Sequence, residues 1–73
     1  MYLVIEIQTG ADGTVTTLVT QHQTRNEAES KYYMVLSAAA VSSVPLHAAM
    51  LCFSNGNHIL SKSYEHAPQL TEE

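Results

Sequence analysis

The chain has 73 residues, three basic side chains against seven acidic ones, and a single cysteine, Cys52. A chain this short holds one core and buries roughly 60 % of its unfolded surface; with no second cysteine to close a disulfide, self-association is the expected supplement to its stability. A formal charge of −4 has the wrong sign for neutralising nucleic-acid phosphates. No stretch approaches the roughly 20 apolar residues of a spanning helix, and no basic region precedes the N-terminal apolar run, so a cytoplasmic protein that binds neither nucleic acid nor membrane is expected.

Tyr2 to Gln8 carries Leu3, Val4, Ile5 and Ile7 with one charge, Glu6, the pattern of a strand covered on most of both faces. Thr9-Gly10-Ala11-Asp12-Gly13 supplies a hairpin turn with Asp-Gly at its centre. Thr14 to His22 mixes Thr and Gln with Val15, Leu18 and Val19, which suits a sheet edge. Thr24-Arg25-Asn26-Glu27 matches a capping box, and the helix it opens is expected from Glu27 to about Ser42. Ala28, Tyr32, Val35, Leu36 and Ala39 share one face at helical spacing, and Glu27 and Lys31 are placed to pair on the other. Tyr32 and Tyr33 leave that helix about 100° apart, one to the core and one outward. Met34, Ala38 and Val41 leave the outer side of its second half apolar.

Val44-Pro45 ends the helix, because the residue before a proline is pushed out of the α region. Leu46 to Phe53 is apolar on both parities apart from His47, the signature of a central strand. Asn55-Gly56 is a strong hairpin signal, and Asn57 to Tyr64 is a more polar second edge. Residues 1–66 thus read as one α+β domain of ββαββ order, a four-stranded antiparallel sheet in the order 2-1-3-4 with one helix on one face. Residues 67–73 read as a disordered acidic tail, with fraying expected from Glu65 onward.

A two-residue turn at Asn55-Gly56 sets Phe53 opposite His58, Leu51 opposite Leu60, Ala49 opposite Lys62 and His47 opposite Tyr64. The alternate set, Cys52 with Ile59, Met50 with Ser61 and Ala48 with Ser63, has no charge and small side chains, and is expected beneath the helix. The outward face then holds Glu6, His47, Lys62 and Tyr64 on an apolar ground, which calls for a partner. These four are the candidate ligand- or partner-binding residues: Lys62 for an anionic group, Tyr64 for stacking, His47 and Glu6 for orienting hydrogen bonds, with Glu6 also placed to pair with Lys62. His22 and His66 are expected to be solvated. No histidine or cysteine spacing fits a zinc site, and Cys52 and His47 fall on opposite faces of one strand, which precludes a thiol–imidazole pair. No metal, cofactor or catalytic residue is expected.

The runs Arg25 to Tyr32, Ala38 to Ala49 and Lys62 to His66 resemble those of a group of very small proteins encoded in phages and prophages of gut Firmicutes, a resemblance that covers most of residues 1–66 and brings no catalytic motif with it. It implies a job of phage type in the cytoplasm of a bacterial host. The resulting expectation is a non-enzymatic, homo-oligomeric binding protein, an inhibitor of anti-phage defence that occupies a host protein or sequesters a small nucleotide signal. The alternative is a phage structural or assembly protein.

Overall fold

In the computed structural model, which describes residues 1–66, the elements come in the expected order: β1 (Tyr2–Thr9), β2 (Val15–His22), α1 (Arg25–Ala40), β3 (Leu46–Phe53) and β4 (His58–Glu65). The strands form one antiparallel sheet in the order β2-β1-β3-β4, and α1 crosses one face of it. Composition accounts for the order: the two most apolar strands take the centre, where both edges are paired, and the Thr-rich and Ser-containing strands take the rims. The tail expected at 67–73 lies outside the described residues.

Both hairpins turn in the same way. Gly13 and Gly56 adopt φ of 87° and 93°, a region cheap only for glycine. Their N–H groups donate to Gly10 O and Phe53 O at 3.0 and 2.8 Å. Asp12 and Asn55 accept from the amides two residues on, Thr14 N and Asn57 N, at 2.9 and 3.0 Å. These are three-residue loops closed by a left-handed glycine, so the two-residue turn expected at Asn55-Gly56 is corrected. The extra loop residue moves the register: Cys52 faces His58 rather than Ile59, and a bulge restores the expected pairs from Leu51–Leu60 to His47–Tyr64.

Thr24 caps α1 with its side chain accepting from Glu27 N at 3.2 Å, and the helix begins at Arg25, a little ahead of the expected start. It ends at Ala40 with Val41 as C-cap. Arg25 pairs with Glu29 at 2.8 Å; no Glu27–Lys31 pair forms. The inward face is as the spacing predicts: Ala28, Tyr32, Val35 and Ala39 are buried and Leu36 packs beside them. Tyr33, Met34 and Val41 are exposed. Glu65 does not fray but closes β4, and the next residue is tied down as well: His66 N donates to Pro45 O at 2.7 Å.

One expectation is reversed. The core joins α1 to Val4, Ala49 and Leu51, with Tyr2 and Leu60 packed against it, so the face bearing Glu6, His47, Lys62 and Tyr64 lies on the helix side. The uncharged set of Ala48, Met50, Ser61 and Ser63 is on the far side. Ala28 and Ala39 let the helix come close, Val4, Leu51 and Leu60 fill the space beneath it, and the carboxylate that this face carries is matched there by His47, so its charge does not bar it from burial.

Candidate functional site

β1 and β3 run side by side with Gln8 opposite His47 and Glu6 opposite Ala49, which sets the Glu6 carboxylate diagonal to the His47 ring on the helix side. His47 Nε2 lies 2.5 Å from Glu6 Oε2, and Gln8 Nε2 donates to the same oxygen at 3.0 Å. His47 is 5 % exposed, and the Glu6 side chain is also mostly enclosed, at 18 %. Burial raises the Glu6 pKa, but the hydrogen bonds from His47 and Gln8, together with the nearby charges of His47 and Lys31, outweigh it and leave the carboxyl below its usual value. Charged or strongly hydrogen-bonded neighbours are what allow a carboxylate to sit beneath a helix.

Lys62 and Tyr64 occupy the β4 side of this face. The Lys62 ammonium lies 5.3 Å from the Tyr64 ring centroid, and that ring stacks on His66 at 6.4 Å with an interplanar angle of 11°. His66 Nε2 meets Ala39 O at 2.8 Å, so the ring caps a carbonyl at the end of α1 and joins it to β4. The expectation that His66 is merely solvated is corrected. The spacing of His66 from the helix end in sequence gave no hint of the contact, which depends on the two elements ending at the same edge.

The four candidate residues therefore share a face but make two separate pairs. Glu6 bonds His47 rather than Lys62, and both are enclosed. Lys62 is exposed, and Tyr64 is half-buried beside it. His47 Nδ1 is buried without a partner among the described residues, and the one hydrogen bond its ring makes there is to a carboxylate, so this imidazole is paired with no hydroxyl or thiol; the two imidazole–hydroxyl contacts, His58 with Ser61 and Thr20 with His22, each at 2.9 Å, lie within single strands away from it. Cys52 is buried on the other side of the sheet, and among the described residues no three His, Cys, Asp or Glu side chains converge as metal ligands. No helix among them is long and apolar enough to cross a membrane.

The far side of the sheet is the other candidate. By alternation with Val4, Ala49 and Leu51, it carries Leu3, Ile5 and Ile7 of β1, Val15 and Val19 of β2, and Leu46, Ala48, Met50 and Cys52 of β3. Thr9, Thr17 and Gln21 on the β1–β2 side and Ser61 and Ser63 on β4 are its polar side chains, and among the described residues the charged side chain that alternation puts on it is Glu65, at the end of β4. A shallow depression of about 360 Å³ runs over Ile7, Ala48, Met50, Ser61 and Ser63 and reaches Lys62, where the small β4 side chains drop away from the β1 and β3 aliphatics. A smaller cleft of about 160 Å³ lies between α1 and β2, lined by Glu6, Leu18, Thr20, Lys31 and Val35.

No family model, curated protein or solved structure matches the chain.

Proposed function

We propose that the chain is a non-enzymatic binding protein that works as an assembly of identical copies, joined through the open face of the sheet. The observation that carries this is the contrast between the faces: the one under α1 holds Glu6, His47 and Lys62, whereas the one without a lid is aliphatic across its two central strands, with Thr17, Gln21, Ser61 and Ser63 on the flanking strands and Glu65 at its corner. A surface that apolar is characteristic of an interface. The small core argues the same way, since a chain of this size gains most from burying a second face.

The resemblance to phage and prophage proteins supplies the direction of the proposal, interference with a host defence component. Occupation of a host protein fits the surfaces better than sequestration of a nucleotide signal. Glu6 and His47 are engaged with each other, Arg25 is paired with Glu29, and Lys62 is the one cation placed beside an aromatic rim, which is little to hold an anion.

Light scattering of the intact chain over a range of concentrations tests the assembly. A multiple of the 8.0 kDa chain mass is expected, falling on Met50→Glu, which puts a charge in the middle of the open face. A folded lone copy at high concentration refutes the reading. Calorimetry against cyclic oligonucleotides and ADP-ribose-type compounds separates the two modes of action, with no binding expected.

A further inference from the structure

The two edges of the sheet are built differently. β4 carries Lys62 and Glu65, and a bulge interrupts its ladder with β3. Charges and bulges are the devices that keep an edge strand from pairing with another chain. β2 has neither. Val15–His22 runs eight residues without a charge, a proline or a bulge, in unbroken register with β1. Its apolar side chains stand out from both faces, Val15, Leu18 and Val19 being 59, 56 and 56 % exposed. Every second residue of such an edge aims its N–H and C=O away from the sheet.

We infer that β2 pairs antiparallel with β2 of a second copy, across a two-fold axis normal to the sheet, to make one continuous eight-stranded sheet with both helices on the same side. The strand suits its own copy. Residues opposite each other in an antiparallel pair point to the same face, so a two-fold places one residue against itself. With the strand's midpoint between Leu18 and Val19, a register centred on either keeps nearly the whole length paired, and the pairs near its centre match uncharged side chains with uncharged side chains. The protected β4 lies at both outer edges of the product, so the assembly closes instead of growing into a filament.

This inference rests on the reading that open faces stack, and it supplies area that reading needs. One four-stranded face of eight-residue strands measures about 19 by 26 Å, roughly 500 Å², against about 800 Å² per partner in a stable interface. Joining two sheets edge to edge doubles the face. Two such sheets stacked by their open sides then give a closed assembly of four copies with two kinds of two-fold axis.

The test uses the full chain. Leu18→Lys with Thr20→Lys changes β2 only on the helix side, and so leaves the open face intact; Met50→Glu changes only the open face. Light scattering is expected to give four copies for the unaltered chain, two for each of these variants, and one when all three substitutions are combined. An unchanged mass in the β2 variant overturns the edge pairing. An unaltered chain of two copies that responds only to Met50→Glu sinks the edge inference and leaves face stacking standing; one that responds only to the β2 substitutions does the reverse. A lone copy overturns both. Should the β2 variant fail to fold, hydrogen exchange on the unaltered chain decides: the outward amides of β2 are expected to be slowed at least 100-fold, and exchange at the free-peptide rate refutes the pairing.

Discussion

The two faces of one sheet handle polarity in opposite ways. Under α1 lie a carboxylate and an imidazole bonded to each other, the carboxylate also accepting from Gln8, with Lys62 at the β4 side. On the open side, aliphatic side chains run from Val19 through Ile5 to Met50 in consecutive register positions, with no polar group among them. Absence of charge therefore does not identify the interior of this molecule. A paired polar group fits beneath a lid when its partner is fixed by strand register, whereas an uncharged face still needs a cover of matching size.

Neighbouring residues on β3 turn that contrast into measurements. Leu51 is fully buried beneath the helix, so Leu51→Ala should remove about 2–5 kcal/mol by leaving a cavity. That is a large part of the stability of a chain this small, and the loss in denaturant titration should be the same at every protein concentration. Met50 points the other way. Met50→Ser should cost about 1.5–3 kcal/mol where copies are assembled, the value of a buried Met side chain, and much less where dilution has separated them. Equal losses at both dilutions would mean that the open face makes no contact between copies.

Most of the architecture was legible because local signals agreed with one another. The capping Thr24, the break before Pro45, the two glycine turns and the apolar central strands all pointed to one ββαββ arrangement, and the polarity of the edges set the strand order. The choice of face was not legible. β3 is apolar on both parities, so alternation is silent there, and the absence of charge from one face is no guide when the charge on the other has a partner. Glu6 has one in His47, so its face can be the buried one. The Glu6–His47 pair was hidden for a related reason: the register placed both residues correctly, but a charged side chain on an outward face invites pairing with Lys62, and only burial draws it to the imidazole. The contact from His66 to Ala39 O needed the relative ends of β4 and α1, which sequence does not fix.

The buried pair gives the next effect in size. Glu6→Ala should cost about 1–3 kcal/mol, because it leaves the enclosed His47 ring without its acceptor. Its pH dependence has a definite sign. The folded Glu6 pKa lies below the usual 4.5, so the carboxylate's contribution is complete above that pH and is lost as pH falls through the folded value. Denaturation midpoints measured from pH 6 down to pH 3 should therefore show a shallower acid decline in Glu6→Gln than in the unaltered chain. An identical decline would mean that other carboxylates carry it.

The hairpins offer a smaller and more even comparison. Gly13 and Gly56 have nearly the same positive φ and open space where a side chain would stand, so alanine at either should cost about 1 kcal/mol from backbone strain alone. The ladders that adjoin the two turns differ, because the β1–β2 register continues unbroken while the β3–β4 ladder must be reset by a bulge. Gly13→Ala has no neighbouring irregularity to absorb the strain, whereas Gly56→Ala can shift the bulged segment at Ile59, so the second cost should be the lower by a few tenths of a kcal/mol. The same bulge helps keep β4 from pairing with another chain, a guard that β2 lacks. If Gly56→Ala proves the costlier of the two, the bulge is a rigid part of the hairpin, held by the packing of Ile59 against the core, and β4 owes its protected edge to that packing as much as to its charges.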